Sequence, residues 1–123
     1  MTINCSKALV TLASVDIEKI VDFYTQLLGQ KPTKFIPNVY AEFQLPGIKL
    51  AVFKPKNTHE LEFSNSGKSK ISLCLEVDNL ELAIAHLKNI GYPPPGELSI
   101  ASHGREIYAY DPDGNRIILH QSH

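Results

Sequence analysis

Ile71, Leu73, Leu75 and Val77 alternate with Ser72, Cys74 and Glu76, the period of two that a strand with one buried face requires. Past Asp78 the period changes. Leu80, Ala83, Ile84, Leu87 and Ile90 fall at helical spacing and make one apolar stripe. The same succession occurs earlier in the chain, where Ala8 to Asp16 reads as a short strand ending in a helix cap and Ile17, Ile20, Val21, Tyr24, Leu27 and Leu28 form a second stripe. Asp16 in the first copy, and Asp78 or Asn79 in the second, are residues whose side chains accept hydrogen bonds from the unpaired amides that open a helix. Gly29 and Gly91 stand where each helix stops, a position that favours φ > 0. Pro32 and Pro93 follow and bar continuation. Val15, Asp16 and Gly29 recur as Val77, Asp78 and Gly91 at a constant offset of 62.

Shorter strand patterns follow each helix. After the first come Thr33 to Ile36, Val39 to Leu45 and Ile48 to Phe53, with Pro46-Gly47 as a turn. After the second come Leu98 to Ser102, Glu106 to Tyr110 and Asn115 to His120. Asp111-Pro112-Asp113-Gly114 has the residue order of a type I turn, proline presetting φ and glycine closing it. Residues 55–69 are rich in Ser, Asn and Lys. The pattern therefore predicts an α+β fold, a single domain of two βαβββ modules over 7–54 and 70–121, joined by a linker at 55–69.

The chain has 123 residues, 43% of them hydrophobic, which is one domain's worth of sequence with enough apolar surface for a core. Lys plus Arg number 12 against 13 for Asp plus Glu. No positive excess is available to grip phosphates, so nucleic acid and anionic membrane surfaces are excluded as expected partners. No apolar run exceeds four residues, whereas a spanning helix needs about 20. The first residues lack the apolar stretch of a secretory signal, and Cys5 and Cys74 form no CxxC pair. These features lead us to expect a reducing, cytoplasmic setting.

The repeat, with Asp16-Ile17-Glu18, Phe23-Tyr24 and Leu28-Gly29 in its first copy and Asp111-Pro112-Asp113-Gly114-Asn115 in its second, resembles the vicinal oxygen chelate superfamily. That group includes glyoxalase I, extradiol dioxygenases and the bleomycin- and fosfomycin-resistance proteins. The resemblance implies two βαβββ modules whose curled mixed sheets enclose a cleft, often completed by a partner subunit in a homodimer. In metal-dependent members it implies one divalent ion held by His, Glu or Gln on the first and last strands of each module, polarising vicinal oxygens of the substrate. The corresponding positions here are Leu9, Ala51, Ser72 and Ile118. Leu, Ala and Ile coordinate no metal, and a lone serine hydroxyl is a weak ligand. The expectation is therefore a binding protein of the resistance type, with a small-molecule ligand and no metal or other cofactor.

The candidate ligand-binding residues are Leu9, Thr11, Ala51, Phe53, Ser72, Cys74, Ile118 and His120, a mostly apolar set with a few polar points. His120, two residues beyond Ile118, shares its strand face. It offers a base, a ligand contact or a recruited metal donor, against the plainer reading of a strand-end histidine near a frayed terminus. Cys74, Glu76 and His120 together are the donors of the alternative, a lyase, isomerase or dioxygenase of the same superfamily with a nonstandard divalent-metal site. Arg105 and Arg116 are candidate carboxylate clamps, with a solvated hairpin as the competing reading. No catalytic residue is assigned.

Overall fold

The structure is a computed structural model that describes residues 2–64 and 69–123. The chain divides into two compact units, 1–63 and 64–123.

The first unit runs β1 (Leu9–Ala13), α1 (Ile17–Leu28), β2 (Lys34–Ile36), β3 (Tyr40–Leu45) and β4 (Ile48–Phe53). Its sheet is mixed and open, in the order β1-β4-β3-β2, with β1 parallel to β4 and the other pairings antiparallel. Asp16 caps α1, its carboxylate accepting from the Lys19 amide, and Gly29 ends the helix in the left-handed region at φ 66°. Ile17, Ile20, Val21 and Tyr24 are buried as their spacing predicts. Phe23, outside that stripe, is buried too. The helix presents a wider apolar arc than its strictest pattern suggests, and the Phe23 ring meets Tyr24 edge-on at 5.0 Å. Tyr24 in turn approaches Phe43 of β3 at 6.3 Å. Phe43 pairs in register with Leu50, so α1 packs on the face formed by Ala41, Phe43, Leu50 and Val52, all fully buried. After β4, residues 57–63, inside the predicted linker, form a 3₁₀ helix.

The second unit repeats the order as β5 (Leu73–Glu76), α2 (Leu80–Asn89), β6 (Ser99–Ala101), β7 (Gly104–Tyr110) and β8 (Arg116–Ser122). Its sheet order is β5-β8-β7-β6, with β5 parallel to β8. Of the two candidate caps, Asn79 is the one used: its side chain accepts from the Leu82 amide. Gln121 of β8 adds a second hold, its side-chain oxygen accepting from the Leu80 amide at 2.7 Å. Ile117 and Leu119 of β8 and Leu80 and Leu87 of α2 make the core of this unit. The 111–114 turn is tied by Asp111, whose carboxylate accepts from the Asp113 and Asn115 amides and from the Asn115 side chain.

Both units thus hold four-stranded mixed sheets reached by a β-α-β-β-β path, as the periodicity predicts. The strand boundaries shift by one or two residues. β5 is trimmed to Leu73–Glu76, β7 starts two residues earlier, at Gly104, and β8 continues through Ser122.

Candidate functional site

Strand pairing decides which side chains share a face. In the first unit Thr11 stands opposite Ala51, Ala13 opposite Phe53, and Leu9 opposite Lys49. Since side chains alternate across a strand, Leu9, Thr11, Ala51 and Phe53 lie on the face opposite the one α1 covers. Leu9 is 44% exposed and Thr11 is exposed, whereas Ala51 is fully buried between its cross-strand neighbours. The Phe53 ring meets Phe63 edge-on at 5.6 Å, so the 3₁₀ helix overlies that end of the face.

Pattern reading did not single out two further residues here. Tyr40 and Glu42 of β3 lie on the same face, Glu42 directly opposite Ala51. The Tyr40 hydroxyl donates to Glu42 at 2.7 Å, and the Lys49 ammonium lies 3.5 Å away. The hydrogen bond from Tyr40, helped by the Lys49 and Lys34 charges, holds the Glu42 carboxyl below its ordinary range, while the same bond raises the Tyr40 phenol. The signal was available: Tyr40, Glu42 and Gln44 alternate with Ala41, Phe43 and Leu45.

In the second unit, Gln121 reaches the start of α2, and Ile117 and Leu119 share its strand face. The opposite face carries Cys74 paired with Ile118, Glu76 paired with His120, and Tyr108 and Glu106 of β7 across from Ile118 and His120. Ser72 precedes β5 with the same parity. Its hydroxyl accepts from the Arg116 guanidinium at 2.6 Å, and Arg116 also donates to the Ser69 carbonyl. Arg105 lies on the helix side, forked onto Glu81 at 2.5 and 3.1 Å and donating to Gln121. Both arginines are therefore committed to partners within the unit.

His120 is no frayed end. The extended β8 leaves it only 9% exposed, with Nδ1 2.6 Å from the Glu76 carboxylate. The second carboxylate oxygen accepts from the Ser122 amide at 2.7 Å. These two bonds, that from His120 first, hold the Glu76 carboxyl down to about 2. Glu76 is thus anionic at neutral pH and can only accept, so Nδ1 carries the shared hydrogen. The other ring nitrogen, Nε2, is buried and has no hydrogen-bond partner among the described residues. The exposed Cys74 thiol is raised by partial desolvation and by the Glu106 and Glu76 carboxylates, the reverse of what a nucleophilic or metal-binding thiolate needs.

At the four expected ligand positions the side chains are Leu9, Ala51, Ser72 and Ile118, and the one oxygen among them already accepts from Arg116. Among the described residues, no three His, Cys, Asp or Glu side chains stand together as a metal-holding group, so Cys74, Glu76 and His120 do not converge as the alternative reading requires. The residues present do not fit a divalent ion. No described helix is long and apolar enough to cross a membrane.

Comparison with known proteins agrees with the architecture. The family model described as Glyoxalase/Bleomycin resistance protein/Dioxygenase superfamily matches residues 8–119. No curated protein matches the chain. Among solved structures, a glyoxalase/bleomycin resistance protein/dioxygenase from Nocardioides is similar with a TM-score of 0.78 at 22% identity, over 99% of this chain and 86% of that one. A glyoxalase/bleomycin resistance protein from Catenulispora acidiphila gives 0.71 at 20% identity, over 95% and 98%. The bleomycin resistance determinant encoded on transposon Tn5 gives 0.68 at 22% identity, over 96% and 98%.

Proposed function

Because the chain belongs to the glyoxalase/bleomycin resistance protein/dioxygenase superfamily, we propose that it is a metal-independent small-molecule-binding protein of that fold, the ligand lying on open sheet faces. One observation carries this reading: the positions where metal-dependent members place their ligands hold Leu9, Ala51, Ser72 and Ile118, and Ser72 is already engaged by Arg116. What those faces offer instead is apolar surface with sparse polar points. On the first unit's face Leu9 and Phe53 supply area and Thr11 and Glu42 orientation; on the second unit's face Ile118 and Tyr108 supply area and His120 orientation, each the usual make-up of a small-molecule contact surface.

Bleomycin is a suitable first probe, since one structural neighbour is a resistance determinant for it, and simple aromatic compounds serve as a second set. A ligand that binds only the folded chain stabilises it by about 2.7 kcal/mol at a hundredfold excess over Kd, a rise easily read in thermal melts. The rise should survive treatment with EDTA and be indifferent to added Ni²⁺, Zn²⁺, Mn²⁺ or Fe²⁺. One tightly bound divalent ion per chain, lost on replacing His120 or Glu76, overturns the reading.

A further inference from the structure

His120 Nε2 is the one buried side-chain polar atom that makes no hydrogen bond among the described residues. Buried polar atoms are paired in the large majority of cases, and an orphan calls for an explanation. The tautomer sharpens the question. With Nδ1 donating to Glu76, the neutral ring presents at Nε2 a bare lone pair, an acceptor held in fixed orientation. Carboxylate–imidazole pairs orient a ring in this manner wherever its far nitrogen has work to do.

The surroundings of Nε2 show how a ligand atom reaches it. Gly104 opens β7 beside the ring, and a Cβ there would lie 2.9 Å from Nε2. The same Cβ would run into the Gln121 carbonyl oxygen, so backbone of β7 and β8 closes that side of Nε2 and the approach lies past the His103 ring. His103, exposed at the tip of the β6–β7 hairpin, sets its ring 4.6 Å from that of His120, tilted by 60°. The His103 backbone is anchored, its carbonyl accepting from the His123 amide at 3.4 Å. Its side chain is the cover that can swing away.

The neighbours also select the ligand. Glu76 from β5 and Glu106 from β7 both flank His120, setting two carboxylates beside the ring. Anionic ligands are repelled there. Two residues along the same face, Ile118 and its cross-strand partner Tyr108, which is 50% exposed, offer an apolar rest for a flat ring. Residues i and i+2 of a strand are about 7 Å apart, so a ring seated on Ile118 extends a substituent to His120. We propose that His120 Nε2 is the hydrogen-bond acceptor for the hydroxyl of a neutral, phenol-type ligand lying against Ile118 and Tyr108, with His103 as the side chain that moves to admit it. Glu76 is then a positioning residue. The proposal rests on the small-molecule-binding reading above and assigns the chemistry of one of its contacts.

The test is an NMR titration of the full chain uniformly labelled with ¹⁵N, read at both the backbone amides and the histidine ring nitrogens, using phenol, anisole and benzoate as probes. Phenol should move the His120 Nε2 resonance. Anisole, which has the ring without the donor, should bind about tenfold more weakly, as expected for a lost hydrogen bond to a buried acceptor, and should leave Nε2 unmoved. Benzoate should not bind. His103→Ala should strengthen phenol binding several-fold by removing the cover. Glu76→Gln should weaken binding and change the Nδ1/Nε2 tautomer pattern, a signature that a purely structural contact would not alter. If phenol shifts the Ile118 and Tyr108 amides while the His120 ring stays unmoved, or if anisole binds as well as phenol, this assignment fails and the binding reading stands. If neither these probes nor bleomycin move any amide on either sheet, both fail.

Discussion

Gly104→Ala places one methyl group where the structure has no room for it. The new Cβ would run into the Gln121 carbonyl oxygen, lie 3.0 Å from the Gln121 carbonyl carbon and stand 2.9 Å from His120 Nε2. The first two atoms are backbone of β8, paired to β7 along its whole length, so they cannot yield without parting the ladder. The third belongs to a ring fixed by Glu76 at 2.6 Å. Overpacking of this kind costs about 1–3 kcal/mol, and the rigidity of the neighbours argues for the upper end. With a urea slope of about 2 kcal/mol per molar, the midpoint should fall by about 1–1.5 M at unchanged slope. Gly96→Ala is the internal control: nothing lies within 4 Å of its added carbon, and reducing the freedom of the unfolded chain should raise stability by about 0.4–1 kcal/mol. Equilibrium urea unfolding followed by circular dichroism compares the three proteins. A Gly104→Ala midpoint within about 0.3 M of wild type would refute the reasoning, because it would mean that β7 and β8 separate at negligible cost.

Three other outcomes are expected. Glu76 titrates near 2 in the folded chain against an ordinary 4.5, so the stability it contributes is complete above its unfolded value and is lost as pH falls through the folded one; urea midpoints taken between pH 6 and pH 2 should show an acid limb that flattens in Glu76→Gln. Replacing Gln121 by Met removes the acceptor for the Leu80 amide and for Arg105 and should cost about 1–2 kcal/mol, with faster amide exchange confined to the first turn of α2. Leu50→Ala, at a fully buried site on the face α1 covers, should cost about 2–5 kcal/mol, read as a lowered urea midpoint.

The fold was largely legible because its signals are local. Periods of two and 3.6, Asp16 and Gly29 bracketing one helix, and the Asp111–Gly114 turn each act within a few residues. Where two adjacent residues could serve, as with Asp78 and Asn79, composition left the choice open, and it fell to Asn79. The faces were legible too, since alternation alone puts Thr11 and Ala51, or Cys74 and Ile118, on common sides once the strands pair. The site itself was less so. His120 was recognised as facing that way, but its burial depends on β8 running on to Ser122, and its bond to Glu76 on a parallel pairing between residues 44 positions apart. Neither has a sequence signature. Glu42 and Tyr40 were missed for a different reason: charged and aromatic residues on a half-exposed strand look like ordinary surface until the register sets them against Ala51.

In each unit the first strand finds its ladder only on the last: β1 hydrogen-bonds to β4 and β5 to β8, with the helix and the two other strands of the unit between them in sequence. On a ribosome adding about 5–20 residues per second, β5 therefore leaves the exit tunnel several seconds ahead of Arg116–Ser122, the strand that receives it. During that interval its apolar face and both of its edges are unsheltered, the condition in which strands pair with the wrong neighbour. The polar flanking segment and the brevity of β5, four residues, limit that hazard. A nascent chain stalled with β5 outside the exit tunnel and Arg116 still inside it should leave β5 accessible to protease, and a stall that lets His123 emerge should close it in one step.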